Sequence, residues 1–488
     1  MSKSKVAMAA EDEAEPAAAK SSLWDSIQRC GIPRKIMTEE DQLRRDILIP
    51  QDLCDAMVAA MDKGDATATV PDPKAIASGA DPSRGSEVPK APMVVFVNFR
   101  SGGHRGQQLM LRLQQLISRG QLFDIFTTEP SHFVQHGLTC LDYLASCGDE
   151  RAKAIRENLR IMVAGGDGTV RWVLKSLAEL NVQNKKPIPP TGIIPLGTGN
   201  DLSRSFGWGG SIPFAWRSAL KQFLHKAVSN GVQHLDSWRV ILMMHETKES
   251  YRPSFLETLQ DSDLTQDEEI QFELRESKSF SGVFYNYFSI GMDAQIAYGF
   301  HHLREDKPCI AQGPTLNKLI YTGYSCKQGW FCTPCLKTPG LRGLDSILSL
   351  HIKKANKKTW KEIEVPSSVR AIVLLNIDNY AGGRHPWGHP APEYLEEKSF
   401  YEAHPDDGLL EIFGLKHAWH ASFVMAELRS AMHIAQAAAV KLRLTGGALK
   451  EAYMQMDGEP WKQPISKEHP TFVIIESTPF HSRIIRGK

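Results

Sequence analysis

Residues 160–169 read RIMVAGGDGT. An apolar run opens directly into a glycine-rich turn carrying Asp167 and Thr169. That pattern predicts a strand buried on both faces, ending at a turn that can meet a ligand. Beyond the turn, Val170, Val173, Leu174 and Leu177 recur at helical spacing. The same order of strand, glycine turn and helix appears on either side. Upstream, MVVFVNF (93–99) runs into RSGGHRG (100–106) and a helical pattern through Leu109, Leu113, Leu116 and Ile117. Strand-like LFDIF (122–126) and a helical stretch at 134–146 follow. Downstream, GIIPLG (192–197) leads into another glycine turn. Strands alternating with helices predict an α/β domain with an open, mainly parallel sheet over 93–234.

After about residue 235 the grammar changes. SWRVILM (237–243), VFYNYFSIGM (283–292), VRAIVLLNI (369–377), GLLEIFGL (408–415) and TFVIIES (471–477) each read as one strand, with a helix expected at about 418–440. Residues 235–488 are therefore expected to form a mostly β domain of two packed sheets. It holds an acidic insertion at 257–274, which contains carboxylates but no Lys or Arg and reads as a solvated loop. The first 92 residues divide into three parts. Residues 1–20 have little to bury and are expected to be disordered. Residues 39–62 read as an amphipathic helix interrupted at Pro50 and packed on the main body. Residues 63–92, rich in Pro, Gly, Ser and Ala, read as a linker.

Composition narrows the function. Among 488 residues, 57 Lys and Arg balance 56 Asp and Glu for a formal charge of +1, which argues against a nucleic-acid binder. Eight cysteines are too few for a disulfide scaffold and suit a reducing compartment. No apolar run is long enough to span a bilayer, the N-terminus lacks a secretory apolar core, and Ser2 stands where myristoylation needs glycine. The expectation is a cytoplasmic protein with transient peripheral membrane association.

Three glycine-rich segments each follow a strand of the α/β domain, where open sheets place ligands. The first supplies Asn98, Ser101, Gly102 and Gly103. The second supplies Gly165, Gly166, Asp167, Gly168 and Thr169, and the third Gly197, Thr198, Asn200 and Asp201. Glycines let backbone N–H groups approach a polyphosphate, while Ser, Thr and Asn add donors. None is a Walker sequence or a dinucleotide fingerprint. One such turn would be ordinary punctuation; three at successive strand ends, with aspartates embedded, point to a phosphate cradle.

Together, NFRSGG (98–103), GGDGT (165–169) and PLGTGND (195–201) resemble the catalytic domain of the diacylglycerol kinases. FSIGMDAQIAYGF (288–300), PDDGLLEIFGL (405–415) and QMDGEPW (455–461) resemble their accessory domain. The first motif has Phe99-Arg100 where many animal relatives carry Pro-Lys, and the tandem zinc modules of many relatives are missing. The plan resembles that of the short plant-type members, which lack those modules. The resemblance implies an ATP- and Mg²⁺-dependent kinase that phosphorylates diacylglycerol in membranes to phosphatidic acid. It implies that Asp167 acts through the Mg²⁺–phosphate network, with Gly197, Thr198 and Asn200 on the opposite side. Glu459 would be the general base, with Asp457 beside it over the cleft. Asp407 would match a structural metal position. A sphingoid-base or ceramide kinase on the same fold is the alternative enzyme; NAD kinase is a weaker fit. A non-catalytic scaffold is disfavoured by the intact acidic residues. Taken alone, Asp457-Gly458 is an ordinary hairpin turn.

Two further features are visible. Cys326, Cys332 and Cys335, with Cys309 upstream, contain only one close pair, which favours plain thiols over zinc. The run Lys353, Lys354, Lys357, Lys358 and Lys361 is the best candidate for attraction to an anionic membrane surface, with Trp360 placed to seat at the headgroups.

Overall fold

The structure, a computed structural model, describes residues 38–68, 88–101, 105–213, 216–245, 253, 255–259, 277–306, 343–386, 388, 390–416, 430–447 and 449–488. The expected tail, much of the linker, Gly102 and Gly103, most of the acidic insertion and all four cysteines of the 309–335 group lie outside these residues. The chain divides into a short unit, Met1–Gln42, and a main unit, Leu43–Lys488. In the short unit Thr38 opens a helix: its Oγ accepts from the Asp41 N–H at 3.2 Å and donates to the Asp41 carboxylate at 2.8 Å.

That helix, α1 (Glu39–Ile47), and α2 (Gln51–Lys63) are separated by Pro50, as the sequence expects. Leu43, Ile47, Leu53, Met57 and Met61 are buried in the core of the main unit. The apolar face is consumed by packing. The buried Gln121 side chain fastens this layer to the sheet, donating to the carbonyls of Ile47 at 2.9 Å and Met93 at 2.6 Å.

The first sheet contains β1 (Met93–Val97), β2 (Leu122–Asp124), β3 (Arg160–Gly165), β4 (Thr191–Pro195) and β5 (Val232–Leu235). The helices among them are α3 (Arg105–Leu116), α4 (Thr139–Ser146), α5 (Glu150–Asn158), α6 (Asp167–Val182), α7 (Asp201–Ser205) and α8 (Trp216–Ser229). All five residues of β1 and of β4 are buried, which is why these runs are apolar without alternation. β2, β1, β3 and β4 are parallel neighbours in that order, so the direction of winding reverses between β1 and β3. Asn98 and Gly165 end those two strands, at the position where doubly wound sheets bind ligands. The sheet also contains a strand the sequence grouped with the β-rich half: β19 (Ser482–Ile485) lies between β4 and β5.

The other strands make two antiparallel sheets. One has the order β11-β10-β15-β18-β6-β8-β7 and the other β14-β13-β12-β9-β16-β17. The first sandwich layer comprises β6 (Trp238–His245), β7 (Glu257–Thr258), β8 (Ser277–Phe284), β10 (Leu348–Lys353), β11 (Lys361–Ile363), β15 (Ala439–Leu444) and β18 (Thr471–Ser477). The second comprises β9 (Tyr287–Gly291), β12 (Ala371–Leu375), β13 (Leu410–Leu415), β14 (Met432–Ala437), β16 (Glu451–Met456) and β17 (Glu459–Pro464). Helix α9 (Met292–Asp306) follows β9, and α10 (Pro392–Lys398) precedes β13. In β12, Ile372 and Leu374 fill the core between the two sheets, whereas Ala371, Val373 and Leu375 join the core of the α/β layer. This middle sheet is thus covered on both faces, and that contact sets the β-rich half against the α/β layer.

Two readings are corrected. VFYNYFSIGM is two strands of different sheets, broken at Tyr285–Asn286. The break occurs because the backbone N–H groups there turn to a carboxylate described below. The described part of the helix expected at 418–440 is β14 and the start of β15; residues 417–429 lie outside the description. The alanine-rich segment has helix propensity, but Met432–Ala437 pairs with β13 and Ala439–Leu444 is clasped between β10 and β18. Tertiary pairing overrides a weak local preference.

Candidate active site

Two of the glycine turns meet as backbone against backbone. A Cβ on Gly197 would stand 2.6 Å from the Gly166 Cα, and one on Gly166 would stand 3.0 Å from the Gly197 Cα. Gly168, in the first turn of α6, has nothing within 4 Å of its ideal Cβ and faces open space. The first and second motifs are joined by Asn98, whose amide donates to the Thr169 hydroxyl at 2.9 Å, while its oxygen accepts from the Arg100 N–H at 2.9 Å. The Ser101 N–H donates to the Asn98 carbonyl at 3.2 Å, closing the turn. Arg100 lies over the Phe126 ring, 4.2 Å from its centre. Thr198 is exposed.

Asn200 has a different task from the one its motif suggests. It is 1% exposed, with φ +55°. Its oxygen accepts from the Gly197 N–H at 2.9 Å, and its amide donates to the carbonyls of Gly197 at 2.9 Å and Gly210 at 2.8 Å. It staples the loop from within.

Asp167 begins α6 and caps α7. Its two oxygens accept from the N–H groups of Asp201 at 2.9 Å and Leu202 at 3.1 Å, satisfying donors that a helix start leaves orphaned. Asp201 reaches to the β-rich half, accepting from Gly382 N–H at 2.8 Å and Gly383 N–H at 2.7 Å. The Gly382–Gly383 turn, at φ +91° and +92°, is part of the site and was not singled out from sequence. Burial and the neighbouring Asp201 push the Asp167 carboxyl up to about 7, against the pull of the two backbone donors. A bound cation would relieve this crowding. A point 3.4 Å from Asp201 Oδ2 and 3.7 Å from Asp167 Oδ2 is marked by the ideal Cβ of Gly199. Two carboxylates close to one point are the hard oxygen donors that Mg²⁺ takes, usually one or two carboxylates together with substrate phosphates.

Across the site, β16 and β17 form a hairpin whose turn is Asp457-Gly458, with φ +50° and +83°. Both positive angles belong to the hairpin turn that Asp-Gly favours. The hairpin-turn reading of Asp457-Gly458 is therefore realised. The two carboxylates do not stand side by side, however. Asp457 turns inward and accepts three backbone N–H bonds, from Tyr285 at 2.9 Å, Asn286 at 2.8 Å and Tyr287 at 3.0 Å. Its oxygens thereby anchor the turn at the point where the chain passes from β8 to β9. Burial raises its pKa, against Arg171 and the three donors. Asp457→Ala is expected to strand these buried donors and to cost about 3 kcal/mol or more of stability. Chemical denaturation would read this directly; an unchanged midpoint would refute the anchoring role.

Glu459 faces out of the turn. Its Oε1 is 3.8 Å from Arg171 Nη2 on α6, and its Oε2 is 3.7 Å from His301 Nε2 on α9. Arg171 and His301 were not singled out from sequence. Arg171 lies one helical turn beyond Asp167, so an i,i+4 reading of GGDGTVR was the available signal.

Asp407 is apart from these groups. It accepts from the N–H groups of His404 at 3.1 Å and Leu409 at 2.8 Å, and burial pushes it up to about 6, with Glu411 and Asp236 adding to the rise. Its neighbour Asp236 is occupied by the Gly408 N–H at 2.7 Å and His481 at 2.6 Å. Among the described residues no group of three or more His, Cys, Asp or Glu side chains gathers as a metal cluster, at Asp407 or elsewhere. Trp360 also departs from expectation. It is half-buried, with Lys353 Nζ 4.4 Å and Lys441 Nζ 5.0 Å from its ring centre, so it gathers cations rather than offering a bare ring.

With this geometry in place, comparisons with known proteins give the family. Residues 92–229 match the diacylglycerol kinase catalytic domain and residues 283–460 the diacylglycerol kinase accessory domain. The chain is 53% identical over 470 residues to diacylglycerol kinase 7 of Arabidopsis thaliana, covering 95% of this chain and 94% of that protein. It is 52% identical over 466 residues to diacylglycerol kinase 3 of the same plant, covering 95% of each. Diacylglycerol kinase 1 of Oryza sativa subsp. japonica is 35% identical over 397 residues, 80% of this chain and 78% of its own.

Proposed function

This chain belongs to the diacylglycerol kinase family, and on that premise we propose that it transfers the γ-phosphoryl of ATP to the free hydroxyl of diacylglycerol, giving phosphatidic acid. The observation that carries the reading is 53% identity along 94% of the length of a diacylglycerol kinase. The glycine turns at Gly165–Thr169 and Gly197–Thr198 let the phosphates approach the backbone closely, together with Asn98, Ser101, Gly102 and Gly103 of the first motif. Asp167 and Asp201 hold Mg²⁺, which when bound supplies neutralising charge beside the phosphates. Glu459 accepts the proton of the attacking hydroxyl, and Asp457 fixes the turn that presents it. Incubation of the protein with Mg·ATP and diacylglycerol micelles should yield phosphatidic acid by mass spectrometry. No product with a folded, ATP-binding protein would sink the reading.

Reaching a lipid substrate needs contact with a membrane surface. No helix among the described residues is long and apolar enough to cross a bilayer. Lys353, Lys354, Lys357, Lys358 and Lys361 on the β10–β11 hairpin form the basic surface best suited to anionic headgroups. Each such lysine contributes about 1 kcal/mol near an anionic surface, screened within about 8 Å at physiological salt. Changing Lys353, Lys354, Lys357 and Lys358 to Gln is expected to weaken sedimentation with anionic vesicles and raise the apparent KM for vesicle-borne diacylglycerol. Activity on a dispersed short-chain substrate should be spared. Unchanged sedimentation would show that the run is only a solvated edge.

A further inference from the structure

We propose that Arg171 is the positioning residue that joins the nucleotide side of the site to the proton acceptor, setting Glu459 at the right distance and orientation for attack. The proposal rests on the kinase reading above and on Glu459 as base. Three observations carry it. First, Arg171 stands one turn after Asp167 on α6, which puts both side chains on the same helix face. One belongs to the phosphate side and the other extends to the β-rich half. Second, its guanidinium spans the tip of the hairpin. Nη1 donates to the Met456 carbonyl at 3.4 Å and Nη2 lies 3.8 Å from Glu459 Oε1. Met456 and Glu459 are the last paired residues before the Asp457-Gly458 turn, so one side chain holds both flanks of that turn. Third, the Arg171 side chain is only 19% exposed, while Glu459 is 38% exposed. The fork is therefore held by protein, and the carboxylate it faces remains open to a hydroxyl.

The charge distribution gives this placement a purpose. Burial raises the pKa of Asp457, and Arg171 opposes that rise. Among the charges the structure brings to bear on Asp457, Arg171 supplies the positive one. A phosphoryl group passing from the glycine turns toward Glu459 would travel beside this guanidinium, which is a planar fork able to meet either a carboxylate or phosphate oxygens. Separations of 3.8 Å and 3.7 Å on the two sides of Glu459 exceed hydrogen-bond length, so the carboxylate is oriented by its neighbours without being capped by them.

The test is a double-mutant cycle on the full chain, with Arg171→Ala, Glu459→Gln and the pair, measuring kcat and the KM for ATP alongside thermal unfolding. Arg171→Ala should lower kcat by about 100-fold, leave the KM for ATP within about threefold and unfold close to the unmodified protein. In the Glu459→Gln background the same change should cost less than about threefold, because a positioning residue has nothing left to position. Arg171→Lys should recover about tenfold over the alanine variant, and added guanidinium ion should partly restore Arg171→Ala. Independent, multiplying losses would overturn the proposal, as would an unchanged kcat or a loss explained by early unfolding. A fully active Glu459→Gln protein would overturn it by removing the base, whereas an inactive unmodified protein that still binds ATP would refute the kinase reading itself.

Discussion

Gly168→Ala is expected to lose at least about 100-fold in turnover while unfolding at the temperature of the unmodified protein. The ideal Cβ of Gly168 meets no atom within 4 Å, so the fold has room for a methyl group. The space is open on the side of the first turn of α6, where a helix start presents N–H groups to an anion. A methyl there displaces the phosphates by about 1 Å, and a misplacement of that size costs on the order of 100-fold. Gly197→Ala gives the contrast. Its Cβ would press to 2.6 Å on both the Gly166 Cα and the Asn200 Oδ1, and backbone cannot swing aside as a flexible side chain can. That variant should lose both activity and stability. Calorimetry and initial rates on the two proteins separate the effects. A Gly168→Ala protein with normal turnover would remove the phosphate cradle from this turn.

Glu459→Gln should lower kcat by about 10²–10⁴-fold with little change in the KM for ATP. The substitution keeps the shape of the side chain and its place between Arg171 and His301, but removes the proton acceptor. The β16–β17 hairpin should be undisturbed, because its turn is held by Asp457 and not by Glu459. Single-turnover measurements would place the loss in the chemical step. A surviving kcat would move proton acceptance to another group. Asp457 would be a poor substitute, since both its oxygens are engaged by backbone donors.

The parts of this molecule that were legible in sequence are those where one residue type is physically required. Apolar runs such as MVVFV and TGIIP, buried on both faces, have no alternative to a central parallel strand. Gly166 and Gly197 must be glycine because two backbones touch. Their spacing and the embedded aspartates therefore pointed to one site before any coordinates. What sequence could not show is set by contacts between distant residues. Asp457 turns inward because the amides of Tyr285–Tyr287, some 170 residues earlier, meet its carboxylate. The same contact splits VFYNYFSIGM into two strands. β19 joins the first sheet after the whole β-rich half has intervened, which no local pattern signals. The alanine-rich 432–444 segment favours helix locally and becomes two strands because its neighbours need partners. Arg171 and His301 reach Glu459 from two helices that the chain separates by more than a hundred residues.

Acceptor specificity is the most direct measure of the central claim. Labelled ATP and Mg²⁺ would be supplied to the protein with diacylglycerol, sphingosine, ceramide and NAD presented together at equal concentration, and the labelled products separated. The expected result is label in phosphatidic acid, abolished in Glu459→Gln and in Gly168→Ala. Label appearing chiefly in a sphingosine, ceramide or NAD product, or no transfer at all from a folded protein that binds ATP, would contradict the account.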